Sequence, residues 1–68
     1  MKEWDFKENF KRICEEEGNV KVTTKKGKSY IANGYEVGIT KVHLLYSTRR
    51  VAHLKFEDIA SVESVVEK

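Results

Sequence analysis

Apolar residues recur at two different spacings along the chain, and the change of spacing divides it into two parts. The first part has helical spacing, which puts its apolar side chains on one face of a helix predicted over residues 6–17. Asp5 and Glu8 make a capping-box pattern at its start, and Gly18 is suited to end it. The apolar stripe consists of Phe6, Phe10, Ile13 and Cys14.

From residue 20 onward apolar and polar residues alternate, which predicts short strands. Gly27 supplies the positive φ of a tight turn that leads into a second strand over residues 29–33, in which either Tyr30 and Ala32 or Ile31 would face inward. The glycines at 34 and 38 fit either another hairpin turn or a bend within one long strand. We favour the bend, because residues 35–37 are short for a strand that pairs alone.

The next two strands are predicted to form a hairpin in which Leu44 pairs with Leu54. This pairing leaves residues 48–50 as the loop. On the other face, the cross-strand neighbours would then be His43 with Lys55 and His53 with Leu45. A short turn at 56–59 and a last strand over 61–66 complete the prediction.

Composition agrees with one small globular domain over residues 1–68. Hydrophobic residues make up 40% of the chain and charged residues 35%, a balance that argues against disorder. The single cysteine excludes an internal disulfide and leaves no zinc-binding framework. The acidic start lacks a secretory signal, and no run approaches the roughly 18 apolar residues of a membrane span. We therefore expect a soluble, cytoplasmic protein with no membrane partner.

The order of elements resembles the Sm-like and SH3-like small barrels. The resemblance rests on residues 20–30, which look like the first Sm hairpin, on the apolar strand 42–46, and on the passage 54–62 into the last strand. That passage is most similar to the Rof (Rho-binding antiterminator) family, which also opens with a helix. The fold that this implies is mostly β with one N-terminal α-helix: a small, strongly bent barrel of about five strands over residues 20–66, capped by helix 6–17.

The site residues of these families do not carry over. Where Sm proteins have the aspartate and Met-Asn loop that binds uridine, this chain has residues 37–40, and where they have Arg-Gly it has residues 56–58. Rof is acidic and meets a basic partner, whereas residues 18–56 here are basic. The resemblance therefore implies the fold and no site.

Charge is distributed unevenly along the chain. Residues 1–17 carry −2, residues 18–56 carry +7 with Glu36 as their one acid, and residues 57–68 carry −3, for a total of +2. A basic middle suggests an anionic partner, although a solvated lysine-rich sheet would give the same pattern. Cations beside exposed tyrosines, here Tyr30 and Tyr35, suit single-stranded nucleic acid, because the charges follow the phosphates and the rings stack on the bases. The candidate nucleic-acid-binding residues, on two predicted hairpin tips, are Lys25, Lys26, Lys28, Tyr30, Arg49 and Arg50.

A second candidate surface is the outer face of the later hairpin, with Lys41, His43, His53 and Lys55. It could contact an anion or a protein partner, or be plain solvated surface. Two histidines without an acid or cysteine are too few for a metal site, so no metal or cofactor is predicted. Cys14 is expected to be a small buried hydrophobe. Trp4 is either a plug for the barrel end or an exposed anchor for a partner.

Three functions of different classes follow. The leading hypothesis is a non-enzymatic module of RNA metabolism or transcription that binds RNA or single-stranded nucleic acid. The second is a protein-binding regulator of the Rof kind, acting on a transcription or RNA-processing factor. The third is a small structural subunit that forms a homo-oligomer through a strand edge. No arrangement of residues suggests catalysis, so no catalytic residue is predicted.

Overall fold

The computed structural model describes residues 1–65, which form one helix followed by six short strands. The elements are α1 (Glu3–Glu17), β1 (Val20–Thr24), β2 (Ser29–Ala32), β3 (Gly34–Val37), β4 (Lys41–Tyr46), β5 (Arg49–Lys55), a 3₁₀ helix (Phe56–Asp58) and β6 (Ile59–Ser64). The strands make two antiparallel sheets, sheet A in the order β2-β1-β6 and sheet B in the order β3-β4-β5. The mostly β fold with one N-terminal helix is confirmed. Residue 66, the end of the predicted last strand, lies outside the described residues.

The helix α1 ends where predicted but begins three residues earlier. The N-cap residue is Lys2, whose side chain makes no capping hydrogen bond, and Asp5 and Glu8 both lie inside the helix. The predicted capping box at Asp5 and Glu8 is therefore wrong. Glu3 and Asp5 both lie in the first turn, where acidic side chains interact favourably with the helix dipole. At the other end Gly18 takes φ +83°, and its N–H donates to the carbonyl of Cys14 at 2.8 Å. The glycine therefore ends the helix as the sequence predicted.

The apolar stripe of α1 is buried in a single core. Phe6, Phe10 and Ile13 are all buried. Both phenylalanine rings lie edge-on to the ring of Tyr35 in β3, with centroid distances of 5.3 Å for Phe6 and 4.9 Å for Phe10. The sheets contribute Val20, Val22, Ala32, Val42, Leu44 and Ile59. Because a helix of this length is marginal alone in water, this burial is what holds it in place.

The chain passes from sheet A to sheet B at Asn33, within the segment where we predicted a bend. β2 pairs with β1 and β3 pairs with β4, so one extended segment serves two sheets as two strands. Ala32 is buried whereas Ile31 is exposed, which settles which face of β2 points inward. The count is therefore six strands and not five. Within residues 1–65 the two sheets do not join into a closed barrel, so the predicted barrel is not confirmed.

The predicted register of the β4–β5 hairpin is wrong by two residues. Leu44 pairs with Ala52, not with Leu54, and the register shifts again between Leu44 and Leu45. The cause is the turn, which consists of Ser47 and Thr48 alone, with φ of 51° and 68°. Two-residue turns with both φ angles positive usually contain Asn or Gly. A Ser-Thr pair therefore gave no signal, and the predicted loop at 48–50 extended too far into β5.

Candidate nucleic-acid interface

The outer face of sheet B brings residues of the same type directly opposite one another. Lys41 pairs with Lys55, and His43 pairs with His53, replacing the predicted pairs of His43 with Lys55 and His53 with Leu45. The two imidazole rings lie 6.1 Å apart between centroids. The structure thus gathers all four residues of the predicted partner face into two adjacent rows.

Backbone hydrogen bonding shows that these are close pairs. The carbonyl of Lys41 accepts from the N–H of Gly38 at 2.7 Å, so the backbone of Lys41 faces β3. Toward β5, Lys41 and His43 therefore belong to the non-hydrogen-bonded class, in which Cα atoms lie about 4.5 Å apart and side chains approach most closely. Like charges directly opposite each other destabilise a sheet. The Lys41–Lys55 pair is thus an unfavourable local arrangement.

One ion pair crosses the same face. Arg50 lies opposite Leu45 and reaches over β4 to Glu36 of β3, with 3.6 Å between its Nη2 and the carboxylate. Glu36, the one acid of residues 18–56, lies opposite His43 and is engaged by the ion pair with Arg50. Both side chains of the pair are more than half exposed, so it contributes little to stability. We call Lys41, His43, Arg50, His53 and Lys55 the basic face.

Arg49 and Arg50 were expected on a hairpin tip, and the structure corrects this. Both belong to β5, where Arg49 pairs with Tyr46. The exposed Val51 lies beside them on β5, and α1 does not cover this face, since its buried side chains point into the core. The turn is limited to Ser47 and Thr48, so both arginines are paired residues of the sheet.

The other predicted tip is confirmed as a turn. Gly27 takes φ +89° between exposed lysines, and the hydroxyl of Thr24 accepts from the N–H of Lys28 at 3.2 Å. The N–H of Lys25 donates to the carbonyl of Asp58 at 2.8 Å. Since Asp58 follows Lys55 by three residues, the turn adjoins the Lys41–Lys55 end of sheet B. We call Lys25, Lys26 and Lys28 the lysine tip.

The aromatic residues lie differently from expectation. Tyr35, expected to be exposed for base stacking, packs on the core phenylalanines, and Tyr30 is half-buried in the cleft beside the lysine tip. Trp4 and Tyr46 are instead exposed, by 71% and 41%. Tyr46 shares the face of Val42 and Leu44 on β4, and it is exposed because it is the last residue of the strand, next to the turn at Ser47 and Thr48.

Other chemical candidates of the sequence lie outside this surface. Cys14 is a free thiol that is half-buried, not buried as predicted, and its Sγ lies 3.6 Å from the carbonyls of Gly18 and Asn33. Among residues 1–65 no three histidine, cysteine or acidic side chains come together as metal ligands. Over the same residues, no helix is both long and apolar enough to cross a membrane.

The lysine tip adjoins the Lys41–Lys55 end of the basic face, with the exposed acids Glu57 and Asp58 beside this junction, and we call the two sets together the basic strip. β5 has seven residues, so its length is about 20 Å at roughly 3.3 Å per residue. Of the eight bases in residues 18–56, only Arg50 makes an ion pair with any residue in the described part of the chain. Six of the other seven, all but Lys21, are exposed. Comparison with protein-family models, curated proteins and solved structures finds no match for this chain.

Proposed function

We propose that this protein is a non-enzymatic module that binds RNA or other single-stranded nucleic acid in the cytoplasm. The observation that supports it best is the pair of rows Lys41–Lys55 and His43–His53 on one exposed sheet face. A directly opposed lysine pair costs stability, and a phosphate between the two ammonium groups would remove that cost. Nothing in the core requires basic residues at these positions.

The shape of the strip supports a single strand as the ligand. About 20 Å along β5 fits on the order of four nucleotides, the low end of site sizes for small β folds. Val51, exposed on β5 next to Arg50, offers apolar surface to an unstacked base. The order of helix and bent strands is similar to that of the Sm/SH3-like barrels, and we include that relationship, with a role in RNA metabolism or transcription, in the proposal.

A titration tests the proposal directly. Labelled single-stranded RNA is titrated with the protein at several salt concentrations, with duplex DNA as competitor. We expect affinity to fall with salt at a log–log slope of about 0.7 per phosphate contact, and weak competition by the duplex. The double variant Lys25→Glu/Lys26→Glu should abolish binding, whereas the matched reversal Lys11→Glu/Arg12→Glu on α1 should not. Absence of binding at low salt, or equal losses in both variants, would contradict the proposal.

The exposed Trp4 supports a second candidate, a protein-binding or self-associating module. It lines a cleft with Lys7, Lys11 and Tyr35, and tryptophan is enriched among the residues that dominate protein interfaces. Within the described residues, β3 and β5 are also edge strands, each paired on one side. Light scattering over a range of concentrations separates the two candidates: a mass above 7.9 kDa that Trp4→Ala lowers would favour self-association.

A further inference from the structure

A small cleft lies between the lysine tip and the end of β5. Its volume is about 210 Å³, and besides the lysine tip it is lined by Thr24, Tyr30, Leu54 and Asp58. This is less than the roughly 300–1,000 Å³ of pockets that enclose drug-sized ligands. The cleft is therefore suited to one flat ring system and not to a whole nucleotide.

The walls of the cleft combine apolar surface with donors. Tyr30 and Leu54 are both half-buried and supply the apolar part of the lining. Thr24 is 8% exposed, and its hydroxyl accepts a hydrogen bond from the N–H of Lys28 while keeping its own proton to donate. A planar base can rest on such a surface, with its edges toward the polar rim.

Asp58 is the one acid of this cleft. Its backbone carbonyl holds Lys25 in place, yet its carboxylate makes no ion pair with the lysine tip or with any other residue in 1–65. The side chain is exposed. The cleft thus presents one carboxylate acceptor and three ammonium donors, and none of these four groups makes an ion pair within residues 1–65.

We infer that the cleft is a subsite for a guanine base of the bound strand. Guanine carries two adjacent donors, N1–H and the N2 amino group, which match the two oxygens of a carboxylate, and two acceptors, O6 and N7, which match lysine. Adenine, cytosine and uracil each place fewer donors on the edge that would face Asp58. The inference rests on the proposed function, since the strip brings the strand to the cleft.

Short oligonucleotides with a single changed base test the inference. Labelled heptauridines carrying guanine, inosine, adenine, cytosine or uracil at the central position are compared by fluorescence anisotropy at one salt concentration. We expect guanine to bind roughly five- to a hundredfold more tightly than adenine, the range for one bidentate pair. Inosine, which lacks the N2 amino group, should fall between them.

Two variants with the same charge change separate the subsite from general electrostatics. Asp58→Asn should abolish the preference for guanine without weakening the binding of heptauridine, and Glu57→Gln, the neighbouring exposed acid, should keep it. Equal affinity of all five oligonucleotides, or a preference that survives in Asp58→Asn, would overturn the inference and leave the proposed function standing. Failure of all five to bind at low salt would overturn both.

Discussion

Replacing Lys41 by glutamate is expected to stabilise the fold and to weaken its binding to single-stranded nucleic acid. In the wild-type protein Lys41 and Lys55 are a close, non-hydrogen-bonded cross-strand pair on an exposed face. The variant turns this like-charge pair into an opposite-charge pair. The carbonyl of residue 41, which accepts from Gly38, is unaffected, so the ladder to β3 remains intact.

The expected gain follows from the geometry of the pair. A directly opposed pair of opposite charge is worth about 0.2–1 kcal/mol, and a like-charge pair costs a similar amount. Because the side chains are exposed and screened, we expect a net gain of about 0.5–1 kcal/mol at low salt. In a domain of this size that corresponds to a rise in Tm of roughly 2–8 °C. The gain should shrink in 1 M salt, where the Debye length is about 3 Å.

Thermal unfolding followed by circular dichroism measures the first effect, and the salt titration measures the second. Losing one phosphate contact should lower the log–log slope by about 0.7. Lys21→Glu is the matched control, because Lys21 lies on the outer face of sheet A, opposite Glu63. It should lower stability by creating a like-charge pair and affect binding less. If Lys41→Glu is destabilising, or if it weakens binding no more than Lys21→Glu does, the reasoning fails.

Two further predictions concern the fold. Phe10 is 2% exposed and packs edge-on to Tyr35, so Phe10→Ala should cost about 3–5 kcal/mol in urea unfolding; a loss below about 0.5 kcal/mol would mean that α1 does not dock. Thr48 is a β-branched residue at φ +68°, a conformation that costs about 1–2 kcal/mol, so Thr48→Gly should stabilise by about 0.5–1 kcal/mol after the entropic cost of glycine. Thr40→Gly, in a loop without a positive φ, should instead destabilise, and equal effects at both sites would contradict this account.

The sequence predicted those parts of the fold that rest on short-range patterns. The stripe of Phe6, Phe10 and Ile13 located α1, the φ requirement of Gly18 located its end, and the alternation around Val22 located the first strand. Each of these signals depends on neighbours a few residues apart. The start of α1 was less well defined, because Glu3 and Asp5 both suit a first turn and neither is required to cap it.

Short-range sequence patterns could not predict the register in which β4 and β5 pair. A two-residue turn at Ser47 and Thr48 and a bulge after Leu44 together decide which residues of β5 face which residues of β4. Neither leaves a glycine or an asparagine in the sequence to mark it. A shift of two residues keeps every side chain on its predicted face, so burial alone could not reveal the error.

The two-residue shift in register also determines which side chains lie opposite one another on the outer face of sheet B. With Leu44 paired to Leu54, each histidine would face a residue of another kind, and the arginines would belong to the hairpin loop. With Leu44 paired to Ala52, the two histidines face each other, the two lysines face each other, and Arg50 joins them on the sheet. The lysine tip is fixed at the near end of this face by the bond from Lys25 to the carbonyl of Asp58. Two sets of residues that the sequence kept apart therefore adjoin each other, and we propose that a phosphate backbone binds across both.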